Sequence, residues 1–309
     1  MGVTDTFAFL NTLPLEQRLP YLESALQEPY RELQAAAFET LCAPQGLNRL
    51  DLVIAHYSDL VPEVKLRVAA RAAAFKEAAL EEIRSTREWG RRAGYEVVLA
   101  VSPRDSGSIL VKGLNDPSAV VRNSVADMLE VVAQRYYYHL VTVRMHGDPE
   151  SRRFLDENRP TILEATGPLL RTYSAHGRRV FMDIALESGE ETAGLVAEIL
   201  NSRSDPATYA AVIHAMSTSV SEPAVDLIFR LMCDGRPRIQ EAAVESLRLR
   251  SDPGFPALVA TVLAKMPSER FTVLALASRE IPWWHSVETA PDVDPFSAVA
   301  AGISALYGP

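Results

Sequence analysis

The feature that most constrains this chain is a repeat of about 30 residues that runs through nearly its whole length. In each copy an apolar residue is followed by small or apolar residues four and eight positions on. The clearest copies are Leu33/Ala37/Leu41, Val64/Val68/Ala72, Ala93/Val97/Val101 and Val121/Val125/Leu129. The pattern continues less cleanly at Phe154, Val180/Ile184, Thr208/Val212/Met216, Ile239/Ala243/Leu247 and Phe271/Ala275, with 26 to 33 residues between successive anchors. Steps of four keep the anchors on one helix face. A period in this range belongs to a stacked array rather than to one closed core. The expectation is an all-α superhelix, or solenoid, of about eight to nine helical hairpins, each packed only on its neighbours.

The starts of the anchor helices are punctuated. Asn115-Asp116-Pro117 precedes Val121, Ser204-Asp205-Pro206 precedes Thr208, and Asp234-Gly235-Arg236-Pro237 precedes Ile239. Asp or Ser caps open amide groups there, and Pro fits a first turn because it has no amide proton to leave unbonded. The first helix of each pair is apolar at helical spacing, as in Leu195-Val196-Ile199-Leu200 and Ala224-Leu227-Ile228-Leu231. No strand alternation persists. Two stretches break the rhythm. Residues 134–159 are long, aromatic and charged, and read as irregular. Residues 281–309 are rich in Pro and Asp, beginning Ile281-Pro282-Trp283-Trp284-His285 and closing on a helix with Phe296, Val299, Ile303 and Leu306 on one face, expected either to cap the array or to belong to a further repeat. The expected division is a repeat array over 1–280 and this segment over 281–309.

The stretch Leu114-Asn115-Asp116-Pro117-Ser118-Ala119-Val120-Val121-Arg122, continuing to Leu129, resembles a HEAT repeat of the short type also seen in phycobilisome-lyase-like proteins. It carries the family's Asp-Pro, Val-Arg and Ala/Leu marks. Asp59 to Ala72 and Asp234 to Leu247 are similar but degenerate. The resemblance covers roughly 28–280 and implies binding and scaffolding, with no universal catalytic residue. The architecture is also similar to HEAT-like alkylpurine DNA glycosylases. In that alternative, a nucleic-acid-binding protein, Asp127, Trp89 and the tyrosines would serve, but no motif matches that family residue by residue.

Charge narrows the partner. The chain carries 31 Lys and Arg against 40 Asp and Glu, net -9, which opposes general nucleic-acid binding. Residues 84–182 reverse the balance, with 15 basic against 11 acidic. The two cysteines, Cys42 and Cys233, sit in different helical patterns and read as buried thiols of a reducing, cytoplasmic compartment. No apolar run approaches the roughly 20 residues of a membrane helix.

Residue patterns that would carry chemistry are few. There is no Gly-rich phosphate loop, nucleophile elbow or His-Glu-x-x-His, so neither a cofactor nor a metal site is implied. His139 and His146 lie two helical turns apart, about 10.5 Å of rise, too far to share one metal. His214 reads as an inner-face residue. The basic, aromatic middle is the candidate partner surface. Arg91, Arg92, Tyr137, Arg144, Arg152 and Arg153 are expected to contact an acidic or phosphorylated protein, with Trp283 and Trp284 as a further anchor.

Overall fold

The structure is a computed structural model that describes residues 3–10, 12–43, 47–173, 179–202, 206–250, 252–265 and 281. Trp283, Trp284 and the expected capping helix lie outside the described residues. The chain is all-α, with no strand among the described residues. It divides into two compact units, Met1–Val132 and Ala133–Pro309. The dividing point falls inside one long helix.

The N-terminal unit contains α1 (Val3–Leu10), α2 (Leu15–Gln27), α3 (Arg31–Leu41), α4 (Leu50–Ala55), a 3-10 turn (Tyr57–Asp59), α5 (Pro62–Ala70), α6 (Ala72–Ile83), α7 (Glu88–Val101), α8 (Ser106–Gly113) and the start of α9 (Ala119–His146). Helices α1, α3, α5 and α7 pack in succession, and α4 packs on α6. The C-terminal unit holds the rest of α9, then α10 (Pro149–Tyr173), α11 (Arg179–Glu187), α12 (Glu190–Asn201), α13 (Pro206–Thr218), α14 (Glu222–Met232), α15 (Pro237–Arg248) and α16 (Phe255–Ala264). Here α11, α13 and α15 form one layer, while α10, α12, α14 and α16 form the other. Within each unit this is the stacking of a helical repeat array.

The anchors explain the layers. Ala37, Leu41, Val64, Val68, Val97, Val121, Val125, Leu129, Val212, Met216, Ile239, Ala243 and Leu247 are all fully buried. Burying such side chains contributes about 1.5–3 kcal/mol each for the larger ones. One expected helix is broken. Val64 and Val68 lie on α5, but the backbone turns at Arg71 (φ -108, ψ 33), and Ala72 opens α6. Arg71 stacks over Phe38 at 4.9 Å and bonds Glu39 at 2.7 Å.

Polar staples also repeat. Gln34, the fourth residue of α3, is fully buried. Its amide nitrogen donates to the carbonyls of Leu26, Glu28 and Asp59, and its oxygen accepts the Val61 N–H. Arg91, the fourth residue of α7, reaches Asp116 in the same way. Each side chain grips the loop 25 residues ahead. These loops precede α5 and α9, so satisfied polar groups fix the spacing between successive layers.

Three local expectations are corrected. His214 is exposed on α13 rather than turned inward, and Cys233 is only half-buried at the end of α14. Residues 134–159 are not irregular: α9 runs 28 residues to His146, and α10 begins at Pro149. The turn between them uses Gly147 at φ +66, a conformation without steric cost for glycine. Asp148 caps α10 by accepting the Ser151 N–H at 2.7 Å. The run Tyr136-Tyr137-Tyr138 has local strand propensity, and its helical flanks override it.

Candidate functional site

Two helical hairpins hold the predicted surface residues, one in each unit. In the N-terminal unit α6 and α7 close tightly, because Gly90 and Gly94 face α6. A Cβ on Gly94 would lie 2.8 Å from the Ala79 carbonyl oxygen and 2.9 Å from Ile83. Arg91 emerges from this contact into a buried pair. Its Nε and Nη2 donate to both Asp116 oxygens at 2.8 and 2.9 Å, and Nη1 donates to the carbonyls of Ser85 and Thr86. The side chains are only 13% and 5% exposed. The guanidinium holds the Asp116 carboxyl below the usual carboxylate range. Arg91 is therefore a structural staple and is withdrawn from the partner surface. Arg92 is exposed, yet it pairs with Glu96 one turn on at 3.1 Å.

In the C-terminal unit the hairpin turns at Gly147-Asp148. Three consecutive tyrosines take three environments, since each step along a helix rotates the side chain by about 100°. Tyr136 is buried and Tyr137 half-buried, while Tyr138 is 67% exposed. Tyr137 bonds Arg144, and burial pushes its phenol up. Arg144 in turn donates to Glu187 on α11 at 2.9 Å. Tyr137 is thus half-buried, and Arg144, although exposed, is committed to Glu187. Arg152 and Arg153, in the first turn of α10, are exposed and carry no ion pair among the described residues. Of the expected set, only these two present open guanidinium groups.

The exposed residue that sequence reasoning passed over is Tyr138, together with Met145, which is 68% exposed. They stand seven residues apart on the solvent side of α9, with half-exposed Val141 between them. The spacing was readable in the sequence, but only a helix continuous through 134–146 gives it meaning. Over residues 137–157 only Ser151 is buried, although eight of these side chains are apolar.

His139 joins the two helices at the base of the tip. Its ring lies 4.2 Å from that of Phe154, and its Nδ1 is 2.9 Å from Ser151 Oγ. The Ser151 hydroxyl and N–H both bond Asp148, holding its carboxyl below the ordinary range. Ser, His and Asp therefore meet here, but the carboxylate sits on the serine rather than on the imidazole. A nucleophile needs the reverse order, with the acid orienting the base. This cluster caps α10 and does not activate Ser151.

A cleft of about 630 Å³ opens in the N-terminal unit between Cys42, Asn48, Leu50 and the Ala70–Phe75 stretch. Burial pushes the Cys42 thiol up to about 11, against the pull of Arg71. Such a thiol is a poor nucleophile, since the thiolate is the reactive form. No group of three or more His, Cys, Asp and Glu side chains suited to a metal occurs among the described residues. No helix among them is long and apolar enough to cross a membrane. For the glycosylase-like alternative, Arg87 stacks over Trp89 at 4.5 Å, and Asp127 lies exposed on α9.

Neither a family model nor a curated protein matches the chain. Among solved structures it is similar to an engineered protein from the Northeast Structural Genomics Consortium. The two are 12% identical with a TM-score of 0.41, and the match covers 98% of this chain and 99% of that one. A likeness at that level identifies neither family nor activity.

Proposed function

We propose that the chain is a non-catalytic protein-binding platform that receives its partner on the α9–α10 hairpin. The observation that carries this reading is the uncovered apolar content of residues 137–157, where Tyr138 and Met145 stand more than two-thirds exposed. Isolated exposed apolar residues are ordinary, but a contiguous cluster with a polar rim marks an interaction surface. Arg152 and Arg153 stand exposed on the same hairpin, with no ion pair among the described residues, and such guanidinium groups favour an acidic or phosphorylated partner. Tyr and Arg are also the residues on which binding energy concentrates.

The test is retention from a native-host extract on immobilised chain, with wild type compared against Met145→Glu and against Arg152→Glu/Arg153→Glu. Both variants should keep wild-type circular dichroism and lose the same retained proteins. Undiminished retention by both would refute the hairpin as the docking site. The arginine effect should also fade with salt, because exposed charge attraction is screened over about 8 Å at physiological ionic strength.

A further inference from the structure

We infer that the segment docking on this hairpin is itself an α-helix, apolar at heptad spacing and acidic along its flanks, lying along the solvent side of the C-terminal half of α9. The inference rests on the protein-platform reading and names the partner of that same surface.

The spacing points to a helix. Tyr138, Val141 and Met145 follow each other at three and four residues, and the outer two are 67% and 68% exposed. A three-four alternation is the seam that a second helix fills by knobs-into-holes packing. An extended strand would instead need a free sheet edge, and no strand occurs among the described residues. Among the described residues, the neighbouring elements leave the outer two positions of this seam exposed. The inward side of the same helix segment carries Tyr136, which is buried, and His139, which is committed to Ser151 and Phe154.

The charge points to an acidic helix. Residues 131–147 contain two arginines and two histidines and no Asp or Glu. Arg144 is answered by Glu187 from α11, but Arg135 is exposed and has no ion pair among the described residues. Across the turn, Arg152 and Arg153 likewise have no ion pair among the described residues, but Glu150, Asp156 and Glu157 share that stretch of α10, so the positive surface is the α9 segment. The same composition disfavours a second copy of this chain along the seam. Two 131–147 segments laid together would place arginine against arginine with no carboxylate within the segment to separate them, and like charges oppose pairing.

Two synthetic helical peptides test this. Both have the same Leu and Ile seam over about four heptads, one with Glu and the other with Lys at the flanking positions. Titrated against the full chain by fluorescence anisotropy, the Glu peptide should bind at least about tenfold more tightly than the Lys peptide. Tyr138→Glu and Met145→Glu should each weaken it at least about tenfold, the scale of a central anchor residue. Both positions are exposed, so unchanged circular dichroism will separate lost docking from lost folding. Equal binding of the two peptides, or no binding by either, overturns the acidic-helix inference. A photo-crosslinking residue at position 142 in host extract then separates this failure from failure of the platform reading. Linkage to an acidic amphipathic helix of another protein supports the inference. Linkage to a segment of any other chemistry overturns it and leaves the platform standing. Linkage only to a second copy of the chain overturns it in favour of self-association, and no linkage at all overturns both.

Discussion

The α6–α7 and α9–α10 hairpins are made of similar material and end in opposite states. Each joins two helices through a short connection and is rich in apolar and arginine residues. In the first, Phe75, Ala79, Glu82, Gly90, Ala93, Gly94, Tyr95, Val97 and Val98 are buried. In the second, over 137–157, only Ser151 is. The difference lies in what separates the helices. Glycines let α7 approach α6 to backbone contact, whereas a histidine ring against a phenylalanine spaces α9 from α10. Neighbouring helices then close over the first hairpin and leave the tip of the second uncovered. Apolar content alone does not make a core; a core needs neighbours on every side.

That contrast can be broken or sharpened by substitution, beginning with the largest expected effect. Phe75→Ala should cost about 4 kcal/mol in denaturant unfolding, because the fully buried ring stacks on Phe38 at 6.1 Å and leaves a cavity. Arg91→Ala should cost about 3 kcal/mol by stranding the Asp116 carboxylate in a buried site. This pair also has a pH signature. The folded-state pKa of Asp116 is depressed, so its contribution is present above the unfolded value of about 3.9 and is lost as pH falls through the lower folded value. In an acid titration of the unfolding free energy, wild type should lose in that window stability that Arg91→Ala has already lost. Gly94→Ala should cost about 2 kcal/mol, since the added methyl meets the Ala79 carbonyl at 2.8 Å and the helices must part. Met145→Ala and Tyr138→Ala should stay within about 0.5 kcal/mol, the range of surface changes. A loss above 1.5 kcal/mol at either tip position, three times that range, would show that the tip is covered after all.

Much of the fold was legible in the sequence, because anchor periodicity and helix-start punctuation are local properties. Val121, Val125 and Leu129 are buried as the four-residue steps require. The partner surface was read less well. A run of three tyrosines does not say which one faces out until the helix phase is fixed, and Tyr138 rather than Tyr137 takes that place. Arg91 appeared to belong to a basic patch because its partner, Asp116, lies 25 residues away and joins it only when α7 reaches the loop before α9. The Gly90–Gly94 contact had a visible signal, two glycines four apart on one helix face. The position of the break at Arg71 had none, since an alanine-rich run with one arginine propagates a helix well.

The state of Cys42 gives the molecule an internal clock. Its thiol is buried, with its pKa raised to about 11, so at neutral pH almost none of it is in the reactive form. Its side chain lines the cleft yet is only 7% exposed, so a thiol-modifying reagent labels it chiefly when the surrounding helices separate, and its labelling rate follows those openings. The chain has two cysteines, and the other, Cys233, belongs to the C-terminal unit and is half-exposed. Mass spectrometry of the unaltered protein after timed labelling would therefore report opening around α3 and, at Cys233, opening at the end of α14.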